Sequence, residues 1–257
     1  MGASRDGRDV LVVRFVGHAT VLVELDGVRI LTDPLLRRHV AHLRRVVPLQ
    51  LDDLVRPDAV LVSHAHYDHL DVRSLRKLDR SALVVVPRGL GAALGKLGFG
   101  RVAEMDVGDE IDLRGVTVRA TPADHDSERM FGVRTEALGY AVLGSRRLFF
   151  AGDTDLFLEL DGLVDDLDVA LLPIWGWGAS LGRGRHLDPE RAAEAARLLR
   201  PRVVVPIHWG TYAPLHLTFR RVPSFVRSPA AAFEQAVRER APGVQVRVLE
   251  PGTSLEL

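Results

Sequence analysis

The sequence contains no cysteine among its 257 residues. That excludes disulfides, thiolate metal sites and cysteine nucleophiles, fits a reducing compartment, and leaves nitrogen and oxygen as the donors for any metal. Net charge is missing as well: 34 basic residues balance 34 acidic ones, so no global field draws the chain to nucleic acid or to an anionic membrane. No apolar run reaches the roughly 18 residues that a bilayer span requires. The opening MGASRDGRDV is polar and lacks the apolar core of a signal peptide. These absences predict a cytoplasmic protein with no transmembrane segment and no nucleic-acid partner. They specify no oligomeric state.

Hydrophobic residues make up 47% of the chain, enough for a substantial core, and no low-complexity linker or exact repeat divides it. The expectation is a single domain over 1–257. The runs VLVVRFV, ATVLVEL and VRILTD, separated by Gly17 and by Asp26-Gly27, predict an antiparallel meander. DAVLVS is continuously apolar, as a strand covered on both faces would be, and DVRSLRKL behind it reads as a helix. Later, DVALLPI and RVVVPIHW read as buried strands separated by the helix LDPERAAEAARLLR, with Asp188 as cap and Pro189 at its first position. A helix after Ser228-Pro229 and a strand VQVRVLE close the chain. Two β-rich halves, each with helices, predict an α+β fold, a four-layer αββα sandwich with its chemistry in the loops at one edge.

That chemistry concentrates in SHAHYDH, Ser63 to His69. His64 and His66 alternate with Ala65, so in extended backbone both imidazoles face one side, as two ligands of one ion must. Asp68 and His69 follow where the chain turns into the helix and can serve a neighbouring ion. Three further strand ends carry His125, Asp153 and His208. Singly, each has a plain structural explanation: a hydrogen-bonded core histidine, or an aspartate capping a helix. Together they gather more buried ionisable groups than a core tolerates without a compensating cation, and a binuclear metal site follows. His18 in GHAT and Asp33 in LTDP occupy strand-end turns, where they can orient the ligand imidazoles; Asp33-Pro34 can equally just end a strand.

The ordered set GHATV, LTDP, SHAHYDHLD, FFAGDT, HLDPERA and IHWGTY resembles the metallo-β-lactamase superfamily. Within it the chain is most similar to the branch of N-acylphosphatidylethanolamine-hydrolysing phospholipase D and the L-ascorbate-6-phosphate lactonases. The resemblance implies that His64, His66 and His125 hold one metal, that Asp68, His69 and His208 hold the second, and that Asp153 bridges them. Zinc suits nitrogen-rich ligation, and the same ligands accept manganese, iron or nickel. Two such ions make a shared water available as hydroxide near neutral pH. The implied reaction is attack of that hydroxide, oriented by Asp68, on a phosphodiester of a small molecule or lipid. Lactone or ester hydrolysis is the alternative, with a nuclease or a di-iron redox protein as further ones. His186, just before the capped helix, matches a pocket histidine of the related phospholipases and would assist leaving-group expulsion; hydrogen bonding at the helix start is its plain alternative.

Around this centre the stretch IWGWGASLGRGRH suggests an aromatic lip, with Trp175 and Trp177 above the metals and Arg183 and Arg185 against a substrate phosphate. The basic and apolar stretches LLRRHVAHLRR and LTFRRVPSFV could make peripheral membrane contact. A solvated loop is the alternative for the first of them.

Overall fold

The computed structural model describes residues 10–51, 54–126, 135–175, 186–218, 226 and 228–257. In chain order the first half comprises β1 (Val12–Gly17), β2 (Thr20–Leu25), β3 (Val28–Thr32), β4 (His39–Val40), β5 (Leu43–Arg45), β6 (Ala59–Leu61), α1 (Val72–Leu75), β7 (Leu83–Pro87), α2 (Gly91–Lys96) and β8 (Val102–Met105). The second comprises β9 (Glu110–Leu113), β10 (Val116–Pro122), β11 (Leu138–Leu143), β12 (Arg147–Phe150), β13 (Val169–Pro173), α3 (Pro189–Leu199), β14 (Val203–Ile207), β15 (Tyr212–Pro214), α4 (Ser228–Arg240), β16 (Gln245–Val246) and β17 (Ser254–Glu256).

Two seven-stranded mixed sheets result, ordered β17-β1-β2-β3-β6-β7-β8 and β16-β14-β13-β12-β11-β10-β9. Each is antiparallel at one end and parallel at the other: β1, β2 and β3 form the expected meander, and β3, β6, β7 and β8 then run parallel. The second sheet repeats this, antiparallel from β9 to β12 and parallel from β12 through β13 and β14 to β16.

Strand alternation explains the layers. In β2, Val21 and Val23 join the core between the sheets while Leu22 points to the outer face, and in β7 Val85 faces inward while Val84 and Val86 face outward. Leu75 of α1 and Leu94 of α2 cover the outer face of the first sheet. On the second sheet, Ala192, Ala196 and Leu199 of α3 and Phe233 and Val237 of α4 do the same. The result is the expected arrangement of two sheets face to face with helices outside. Among the described residues no helix is long and apolar enough to cross a membrane.

Several elements differ from expectation. DVRSLRKL forms a single helical turn, capped by the Asp71 carboxylate on Ser74 N. Only Gln245 and Val246 of VQVRVLE are in a strand, and the chain then returns so that β17 pairs with β1 at the far edge of the other sheet. The stretch LLRRHVAHLRR is not a solvated loop throughout: β4 and β5 pair with each other and β5 with β15, and Leu35, Leu36, Val40, Leu43 and Arg45 are buried.

Strand direction sets the position of the site. β1, β3 and β6 point one way in the first sheet, as do β10, β12 and β14 in the second. His18, Asp33 and the histidine loop follow the ends of the first three. His125, Asp153 and His208 follow the ends of the others.

Candidate metal centre

Backbone conformation marks the centre before any side chain does. His18 (φ 60°), Asp33 (φ 31°) and His208 (φ 59°) all hold left-handed backbone that residues with a Cβ seldom adopt. Hydrogen bonds over-determine them: His208 N–H donates to the His18 carbonyl at 2.8 Å, and His18 N–H donates to Thr211 Oγ1 at 2.7 Å.

Behind the histidines lies a row of acceptors that sets each ring's tautomer. Asp33, wholly buried, accepts from Ser63 N at 2.7 Å and from Ser63 Oγ at 2.6 Å, and its Oδ2 lies 2.6 Å from His69 Nδ1. The ring therefore carries its proton on Nδ1 towards the carboxylate and turns Nε2 to the centre. Ser63 Oγ has spent its proton on Asp33, so at 2.9 Å it accepts from His64 Nδ1 and leaves the His64 Nε2 lone pair for the site. His208 Nδ1 likewise meets the Trp175 carbonyl at 3.1 Å. Three imidazoles thus present Nε2 to one space, each oriented from behind as metal-ligating histidines are.

The donors fall into overlapping groups whose ligand atoms lie within 4.8 Å of one another: His64, His66 and His125; His18, Asp68, His69 and His208; Asp33, His64 and His69; and His125, Asp153 and His186. In the first, His66 Nδ1 is 2.9 Å from His64 Nε2 and 3.3 Å from His125 Nε2. Asp153 lies among the others, with Oδ2 at 3.2 Å from His69 Nε2 and 3.4 Å from His186 Nδ1, and Oδ1 at 3.4 Å from His208 Nε2. Asp68 Oδ2 is 3.3 Å from His18 Nε2.

The loop AGDTD ties these groups together. Thr154 Oγ1 accepts from Asp124 N at 2.9 Å, beside His125, and the Thr154 carbonyl accepts from Leu187 N at 2.9 Å, beside His186. Arg191 Nε donates to Asp155 at 2.7 Å, clamping α3 to the same loop. Gly152 (φ 62°) allows the close approach, because a Cβ there would lie 2.6 Å from Ser63 Cβ.

The electrostatics suit a cation. Burial, reinforced by neighbouring imidazoles, lowers His64 well below the ordinary histidine range and brings His66 to about 4. Burial likewise brings His186 and His208 to about 4 against the attraction of Asp153. These rings are neutral at pH 7 and offer lone pairs. His69 is the exception: burial would lower it, but Asp153, Asp33 and Asp68 together raise it well above its usual value. Asp68 and Asp153, which burial alone would raise, are held below the carboxylate range by their histidines.

Among the described residues, His69 Nε2, Asp153 Oδ1 and His186 Nδ1 are buried without a hydrogen-bond partner. Orphaned polar atoms of this kind cost free energy. Clustered, aimed inward and rich in imidazole nitrogen, they fit divalent metal ions.

The described histidines and aspartates expected at the site converge here, with His18 in one donor group with Asp68, His69 and His208, whereas the Trp175 ring does not form the expected lip. Trp175 supplies its carbonyl to His208, and its half-buried ring packs on the core beneath α3 and α4. Trp177, Arg183 and Arg185 lie outside the described residues. Ser63, Thr154 and Thr211 were not anticipated. Ser63 stands within SHAHYDH, but no spacing rule distinguishes a backing hydroxyl from any other serine.

Comparison with known proteins gives the centre a context. A family profile described as the Beta-lactamase superfamily domain matches residues 28–209. The UPF0173 metal-dependent hydrolase of Methanopyrus kandleri is 33% identical over 252 residues, covering 95% of this chain and 99% of that protein. The N-acyl-phosphatidylethanolamine-hydrolyzing phospholipase D 1 of Caenorhabditis elegans is 32% identical over 229 residues; the match takes in 79% of this chain but only 64% of that longer enzyme. Among solved structures, Igni18, a metallo hydrolase from the archaeon Ignicoccus hospitalis, superposes with a TM-score of 0.72 at 27% identity over 96% of this chain and 98% of its own.

Proposed function

The chain belongs to the metallo-β-lactamase superfamily and is a metal-dependent hydrolase, and from that premise we propose that it cleaves a phosphodiester of a small molecule or lipid at a pair of divalent ions. The observation that carries the reading is the convergence on Asp153 of donor groups from both sheets. In this reading His64, His66 and His125 would hold one ion and Asp68, His69 and His208 the other, with Asp153 available to both. Zinc suits the nitrogen-rich set. When bound, the ions supply Lewis acidity towards the substrate oxygen and lower the pKa of water.

The protein's own groups do the rest. Hydrolysis adds water across the P–O bond: its oxygen goes to phosphorus and one proton to the departing alcohol. Asp68, kept ionised by His69 and His18, accepts a hydrogen bond from the attacking water and aims it. His186 stands at the partly exposed rim of the cluster with Nδ1 towards Asp153. From there its neutral ring takes the proton that the attacking water releases and passes it to the departing oxygen. Asp33 and Ser63 hold His69 and His64 in the tautomers the donor set requires. The phosphodiester assignment draws on the likeness to the nematode phospholipase D.

Hydrolysis of bis(p-nitrophenyl) phosphate and of a simple lactone, each with and without chelator, tests the reading. Chelator-sensitive phosphodiester cleavage is expected. Cleavage of the lactone alone overturns the substrate class, and no chelator-sensitive hydrolysis of either overturns the reaction.

A further inference from the structure

A second cavity, of about 690 Å³, opens between the β4–β5 hairpin and the end of α1. No residue of the metal centre lines it. Its volume falls within the range of about 300–1,000 Å³ typical of small-ligand sites. Four cations line it, Arg38, Arg44, Arg45 and Lys77, and among the described residues no aspartate or glutamate does. The rest of the lining is largely aliphatic, with Leu36, Val47, Leu49 and Leu51 among it.

The cations are poorly compensated. Neighbouring Arg37 pairs with Asp71 at 3.0 Å, whereas Arg38 and Arg44 form no ion pair among the described residues. Among the described residues Lys77 Nζ meets only the Leu36 carbonyl. Arg45 is the telling member: it is 7% exposed, its guanidinium faces the carbonyls of Val16 and Leu35 and the ring of Tyr212, and its Nε is buried with no partner. A buried guanidinium with no carboxylate beside it and an orphaned N–H is costly unless an anion completes it. Arginine forks match phosphate oxygens, and several cations on one wall favour a doubly charged group over a singly charged one.

We propose that this cavity is a binding site, separate from the metal centre, for a phosphate monoester carrying an apolar group, either a free metabolite or a lipid headgroup. Arg38, Arg44, Arg45 and Lys77 take the phosphate, and the aliphatic wall takes the organic portion. The site shares a wall with the metal centre: the Arg45 guanidinium lies against Gly17, where a Cβ would come 2.9 Å from its Nη2, and the Tyr212 ring lies edge-on to His18 with centroids 5.7 Å apart.

The test is calorimetric titration of metal-loaded and chelator-treated protein with inorganic phosphate, with monomeric dihexanoyl phosphatidic acid, and with phosphatidylcholine vesicles carrying phosphatidic acid. Phosphate held by metal ions disappears with chelator, and phosphate held by the cavity stays. Chelator-insensitive binding of a monomeric probe is expected, weakened about tenfold or more in R38A/R44A and unchanged in R73A/R76A, which removes exposed arginines of the α1 region. Tighter binding of phosphatidic acid than of inorganic phosphate is expected from the aliphatic wall, and equal binding overturns the apolar part of the proposal. Absence of chelator-insensitive binding, binding that R38A/R44A leaves intact, or binding to vesicles alone overturns the proposal.

Discussion

Replacing Asp33 by asparagine changes one atom of a fully buried side chain and should disable a metal ligand it never replaces. Asp33 accepts from Ser63 N at 2.7 Å and from Ser63 Oγ at 2.6 Å, and receives His69 Nδ1–H at 2.6 Å. Asparagine keeps an acceptor for the Ser63 amide but turns an NH₂ towards His69. That imidazole must then either face a donor with a donor or shift its proton to Nε2, which occupies the lone pair aimed at the centre. A charge-assisted hydrogen bond contributes about 1.5–3 kcal/mol. At about 1.4 kcal/mol per decade this is roughly a 10- to 150-fold loss in affinity of the ion that His69 holds, in line with the usual effect of losing a group that backs a ligand. Competition against a chromophoric chelator at neutral pH measures it, and ¹⁵N spectra of the His69 ring report the tautomer. Equal metal affinity in Asp33→Asn and wild type, with the ring unchanged, would show that Asp33 does not set the His69 tautomer.

The remaining predictions concern proton transfer, pH and packing. His186→Ala should lower turnover at least about 100-fold, the usual share of a residue that relays a proton, while metal content stays full; unchanged turnover would remove His186 from the reaction. The metal-free protein should lose stability as pH falls from about 6.5 to about 4, because His66, His186 and His208 titrate near 4 in the fold and near 6.5 once unfolded, so the unfolded chain takes up protons first. His69 acts in a higher window, its contribution full below about 6.5 and lost as pH rises through its raised folded value; thermal unfolding of chelator-treated protein between about pH 4 and 6.5 therefore reads the three lowered rings, and a melting temperature that stays flat there would contradict the prediction. Gly152→Ala places a Cβ 2.6 Å from Ser63 Cβ at φ 62° and should cost about 2–5 kcal/mol, together with weaker metal binding through the displaced Ser63. Denaturant unfolding with an unchanged midpoint would contradict that.

Much of the centre was legible in the sequence because metal ligation imposes residue type and strand-end position together. His64, His66, Asp68 and His69 announce themselves by spacing, and the apolar runs before His125, Asp153 and His208 put each at a strand end. The layer order was legible too, since continuous apolar strands require cover on both faces. What escaped depends on contacts distant in sequence. β17 pairs with β1 across nearly the whole chain, and β4 is two residues long, a strand only because β5 lies beside it. Arg45 belongs to a stretch that reads as exposed and basic, yet β5 and β15 bury it under Tyr212. Ser63 and Thr154 act through single hydrogen bonds, which leave no periodic trace.

The proposed reaction needs metal at both donor groups, with Asp153 shared between them. Elemental analysis of wild type and Asp153→Ala, each dialysed against zinc and then buffer, tests it most directly. Close to two ions per chain are expected in the wild type and a clear loss in the variant, with phosphodiester hydrolysis lost in parallel. Metal-free wild type, or a variant that retains the full complement, would contradict it.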